Sequence, residues 1–184
     1  MNHLQDGARG NTPGTIKVIG IGQSLRGDDA AGIVAVRLWN ETYQQEVNRP
    51  LVQVELAELP GIGLLDLLEG TRGAILVDAV SSEAAPGTIH VLNEDQLEAF
   101  SMGAASAHGW GVAETLALGR KLNVHTLPEI LTLVGIEAGQ LKVGGDLSEA
   151  VRSAMPKVAY TIEQQVSSLL GTKTHSTSPR ISPR

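Results

Sequence analysis

The octet Gly73-Ala-Ile-Leu-Val-Asp-Ala-Val80 is apolar at every position but one. A strand with one face in water alternates polar and apolar residues; an unbroken apolar run marks a strand covered on both faces, the setting of a parallel sheet between helices. Four other short segments rich in Val, Ile or Leu read as strands, at 16–19, 51–56, 88–92 and 130–136. Helical patterns fall between and after them, at 29–43, 61–68, 94–100, 111–122 and 147–170. The last is the most regular, with Leu147, Val151, Met155, Val158, Ile162, Val166 and Leu169 at three- and four-residue spacing. Pro156 removes one backbone donor inside it and is expected to kink it. The alternation predicts an α/β domain, a three-layer αβα sandwich with a mostly parallel twisted sheet of about five strands.

A chain of 184 residues is one domain by length. Residues 1–13 read as a flexible leader, 14–171 as the domain, and 172–184, rich in Ser, Thr, Pro and Arg, as a disordered tail. No apolar stretch reaches the length of a membrane span, and none follows Met1 as in a signal peptide, so a cytoplasmic protein with no membrane partner is expected. Cysteine is absent, which excludes thiol catalysis, disulfides and thiolate ligands; a metal would need His, Asp or Glu. A net charge of -6 without a basic cluster argues against nucleic acid as partner.

In parallel sheets, ligands gather at the carboxyl ends of the strands. Three metal-competent residues, Asp29, Asp78 and His108, fall there. The first strand runs into Gly20-Ile-Gly-Gln-Ser-Leu-Arg-Gly-Asp-Asp-Ala-Ala-Gly32, a glycine-rich strand-to-helix junction. A phosphate-binding loop would not place Asp28 and Asp29 at the helix start, where carboxylates repel an anion and attract a cation or a polarised water. Asp78 interrupts the central apolar run near its end, and His108 lies in Ser106-Ala-His-Gly-Trp-Gly111 before a helix. An imidazole and two carboxylates at one sheet edge suit a divalent metal. Each also has a plainer reading: Asp28 as a helix N-cap, the better reading for that residue; Asp29 as a first-turn carboxylate; Asp78 as a loop cap; His108 as a turn histidine. His3 and His175 fall in the tails, His90 in a strand, and His125 before a turn.

The series Gly20-x-Gly-x-x-Leu-x-Gly-Asp-Asp-x-x-Gly32, Leu76-Val-Asp-Ala79 and Ser106-x-His108 resembles the endopeptidases that mature nickel-iron hydrogenases. The match runs in order from about Ile16 to Leu170. The resemblance implies an aspartic-type endopeptidase that removes a C-terminal extension from the hydrogenase large-subunit precursor. It implies that nickel already held by the precursor is the recognition element, contacted by Asp29, Asp78 and His108, with Asp29 and Asp78 as the catalytic carboxylates. Gly27, Asp28, Glu58 and Trp110 are the candidate substrate contacts; Trp110 has the equal alternative of packing under its own helix. The chain departs from the family at Gln23, where Asn is usual, and at Glu58, which stands near an Asp-Gly segment of many members.

Two rival classes remain. A dinucleotide-dependent oxidoreductase needs a third loop glycine where this chain has Leu25. A non-catalytic nickel-binding maturation chaperone could use the same three ligands.

Overall fold

The computed structural model describes residues 14–44, 49–58, 60–101, 105–106, 111–122 and 127–171; the expected leader and tail lie outside them. The elements are β1 (Ile16–Gly22), a 3-10 turn (Gly27–Ala30), α1 (Ala31–Trp39) prolonged by a π turn (Asn40–Gln44), β2 (Val52–Glu58), α2 (Gly63–Leu68), β3 (Gly73–Ser81), β4 (Ile89–Asn93), α3 (Glu94–Ser101), β5 (Ala105–Ser106), α4 (Val112–Leu122), β6 (Ile130–Glu137) and α5 (Glu149–Leu170).

The main sheet order is β2-β1-β3-β6-β4, with β5 added to the end of β3. The pairs β1–β2, β1–β3 and β3–β6 are parallel; β4 runs antiparallel to β6. The apolar octet is the middle strand, and its eight residues are buried. One face of the sheet, through Val18, Ile75, Val77, Ala79, Val134 and Ile136, packs on α1 and α5. The other, through Ile19, Ile21, Leu76, Val80, Leu131 and Leu133, packs on α2, α3 and α4. This is the expected three-layer sandwich.

The order places the chain's change of direction between β1 and β3. From β1 it crosses one face through α1 to β2, then returns across the other face through α2 to β3. Helices that leave on opposite faces open a crevice at the carboxyl ends of the two strands. The β1–β3 ladder ends at Gly20–Val77, one residue before Asp78. Beyond it, Ala105 and Ser106 of β5 pair with Ser81 and Val80. The other edge of β3 is taken by β6, so β5 occupies the side that β1 leaves.

The long final helix is continuous through Pro156, which is exposed. Ser148 caps it, its hydroxyl accepting from the amide of Val151, and Gly171 closes it in the left-handed conformation (φ 68°).

Candidate active site

The glycines of the first loop determine how Asp29 is held. A side chain at Gly32 would begin 2.2 Å from the Val77 carbonyl oxygen and 2.3 Å from that of Ile21, so only glycine lets the first turn of α1 rest on the ends of β1 and β3. At Gly22, a Cβ would lie 2.1 Å from the carbonyl oxygen of Asp29. The same carbonyl accepts from the amide of Gln23 at 3.2 Å. Asp29 is thereby folded back over the end of β1 and is fully buried.

Asp78 is buried at the end of the neighbouring strand, and its Oδ1 accepts the amide of Ala79 at 2.8 Å. Burial pushes its carboxyl up to about 8; the Ala79 hydrogen bond works against this, and the charge of Asp29 adds to it. The two carboxylates thus sense one another at the switch point of the sheet. A cation between them relieves the repulsion and the cost of burial together, which fits this donor set to a hard or borderline metal ion. Among the described residues no group of three His, Asp or Glu side chains could hold a metal. His108 and Trp110 lie outside the described residues; His108 follows Ser106 of β5 by two positions in the chain.

The N-cap reading of Asp28 is overturned. Its backbone is already inside the 3-10 turn, and its carboxylate reaches across the fold instead. Oδ2 accepts the amides of Gly139 (2.8 Å) and Gln140 (2.9 Å), and Oδ1 accepts that of Ser148 (2.6 Å). With 0% of its surface exposed, Asp28 fastens the connection between β6 and α5 to the first loop. Gly27, at φ +58°, turns the chain into this clamp, and its amide donates to the Gly145 carbonyl. Glu58, exposed at the end of β2, accepts the hydroxyl of Ser24.

Glu137 was not singled out by the sequence reading. Buried at the end of β6, it accepts the amide and the hydroxyl of Ser82, both at 2.7 Å, and lies 3.2 Å from Nε2 of His90. It ties the β3–β4 connection to the sheet beside the candidate site. The signal for it is the one that marks Asp78: a carboxylate ending an apolar run.

The hydrogenase maturation protease family (HycI) matches residues 41–165, more than half of the chain. The hydrogenase expression/formation protein HupM of Azotobacter chroococcum is 34% identical over 157 residues, 83% of this chain and 72% of that protein. The hydrogenase 2 maturation protease of Escherichia coli is 30% identical over 122 residues, 66% of this chain and 71% of that one. Among solved structures, the E. coli hydrogenase maturating endopeptidase HybD superposes with a TM-score of 0.73 at 25% identity, covering 84% of this chain and 93% of that one. The maturation protease HybD of Thermococcus kodakarensis shares the fold, with a TM-score of 0.61 at 22% identity, over 82% of this chain and 98% of that one.

The fold, shared with these endopeptidases, and the family match make the chain a peptide hydrolase. The chain belongs to the hydrogenase maturation protease family. Neither the oxidoreductase nor the non-catalytic chaperone describes it. Asp29 lies upstream of the segment matched by the family model, so its place in the site comes from the loop geometry.

Proposed function

We propose that this protease removes the C-terminal extension of a nickel-loaded [NiFe] hydrogenase large-subunit precursor in the cytoplasm, and that the precursor's nickel is its recognition element. The observation that carries this reading is the burial of Asp29 and Asp78 side by side at the β1–β3 switch point. Such a pair attracts a cation, and two carboxylates alone are few ligands for one. A metal that arrives already held by the substrate needs only that many more, with His108 as the third donor in this reading.

In this mechanism nickel belongs to the substrate. Asp29, Asp78 and His108 contact it from one side and hold the adjoining peptide against the sheet edge. Fixing the scissile bond supplies the orientation that peptide hydrolysis needs, and a carboxylate of the pair polarises the attacking water. Asp28 acts indirectly, by holding the first loop in shape. Gly27 shapes the same loop, and Glu58 and Trp110 stand as contacts for the precursor.

Intact mass spectrometry tests the reading. A large-subunit precursor, nickel-loaded or nickel-free, is incubated with the protein. Loss of one defined C-terminal peptide from the loaded form alone is the expected result. Equal cleavage of both forms, or undiminished cleavage by a folded Asp29→Ala/His108→Ala variant, overturns it.

A further inference from the structure

The three most exposed large apolar side chains among the described residues are Leu25 (79%), Val143 (78%) and Ile62 (61%). All three stand on loops that leave the carboxyl edge of the sheet: Leu25 after β1, Ile62 after β2 and Val143 after β6. The other exposed large apolar residues lie elsewhere, such as Leu51 in the turn before β2, Ile130 at the start of β6 and Leu122 at the end of α4.

These loops are fastened to one another. The amide of Gly144 donates to the carbonyl of Leu25 at 2.8 Å, and that of Gly27 to the carbonyl of Gly145 at 3.1 Å. Asp28 accepts three amides from the loop that carries Val143 and from its junction with α5. On the other side, Ser24 donates to Glu58, four residues before Ile62. Apolar side chains held on such a frame lose little freedom when covered.

We infer that Leu25, Ile62 and Val143 form a docking platform for the folded body of the precursor, beside the segment that is cut; this rests on the proposed function above. The platform is continuous with the catalytic edge: Leu25 is four residues from Asp29 in the same loop. An endopeptidase that brings a bond of a folded protein to that edge must place the rest of the substrate against its rim. The tips belong to three separate loops and project outward, which matches shallow apolar depressions on a folded surface better than one extended peptide. Clusters of this kind on a soluble surface mark protein contacts.

The test is the steady-state cleavage of nickel-loaded precursor by the Leu25→Ser/Ile62→Ser/Val143→Ser variant, with Leu51→Ser as control and the single Val143→Ser variant as a milder probe. The platform predicts a KM raised about tenfold or more in the triple variant, a smaller rise in the single one, kcat within about twofold of wild type, and no change in the control. An unchanged KM, a loss confined to kcat, or an equal effect in Leu51→Ser overturns it. Binding of the same precursor is measured in parallel by interferometry. If wild type binds without cutting and the triple variant binds about tenfold more weakly, the platform stands and the proposed cleavage falls. If wild type neither binds nor cuts the precursor, both fall.

Discussion

At the scale of single residues, two buried aspartates of this edge have opposite surroundings. Asp28 accepts three backbone amides, so both of its carboxylate oxygens are held by hydrogen bonds. Asp78 accepts the amide of Ala79 and faces the charge of Asp29. Replacing each carboxyl by an amide should therefore move stability in different directions. Asp28→Asn replaces an acceptor oxygen by a donor against an amide that also donates; a loss of about 1–3 kcal/mol is expected, a fall in Tm of several degrees by circular dichroism. Asp78→Asn replaces a carboxyl whose charged form burial disfavours by a neutral amide of the same shape, so it should keep or exceed the wild-type Tm while precursor cleavage falls at least about a hundredfold. A Tm loss in Asp78→Asn as large as in Asp28→Asn would show that Asp78 is a structural carboxylate. The distinction could not be read from Gly-Asp-Asp itself, because the partners of Asp28 lie 111 to 120 residues away in the chain. Locally, an acidic residue at a helix start looks like a cap.

Among the elements, the parallel strands were legible because burial on both faces leaves an apolar run, and the final helix because one long apolar stripe records its packing. The junction between β1 and α1 was less so. A helix from residue 29 was expected, yet α1 starts at Ala31 after a 3-10 turn. What sets the start is the contact of the first turn with the carbonyls of Ile21 and Val77, and the second of these strands comes from a remote part of the chain. The two-residue β5 is too short to carry any period. Strand order was likewise hidden, since it depends on which neighbours each strand meets. The contact at Gly32 gives a sharp expectation. In Gly32→Ala the added carbon meets two backbone oxygens, which cannot rotate away as a side chain can, so α1 must lift from the sheet. A cost above about 3 kcal/mol is expected, read as a collapse of soluble yield or a large drop in the urea midpoint. Gly63→Ala, where an added carbon meets nothing within 4 Å, is the matched control and should leave the midpoint near wild type.

Over the whole molecule, the Glu163 network and the candidate site lie at opposite ends of the sheet. Near the amino ends of the strands, Glu163 of α5 accepts from Trp39 of α1 (3.1 Å), from Arg49 by two bonds (2.9 and 2.7 Å) and from Ser167 (2.9 Å). Burial pushes its carboxyl up, but those hydrogen bonds and the Arg49 charge outweigh this and hold it below its ordinary value of 4.5. Its stabilisation is therefore complete above pH about 4.5 and is lost as the pH falls through the lower value of the folded state. Glu163→Gln should lower Tm at neutral pH and flatten its decline on acidification; a parallel decline in both proteins would remove Glu163 as a cause. The carboxyl ends of the strands hold the opposing case, two neighbouring buried carboxylates flanked by core residues such as Val77, Ala79 and Ala31. If nickel enters with the precursor, the isolated protein does not depend on metal for its fold. Melting in EDTA should then match melting without it to within about a degree. A resident ion present at a hundred times its dissociation constant would contribute about 2.7 kcal/mol. In a domain of this size that is a shift of roughly 5–10 °C, well outside such a limit. A drop of that size on chelation would make the metal a cofactor of the protease; an unchanged melt, together with cleavage that depends on loading of the precursor, places it with the substrate.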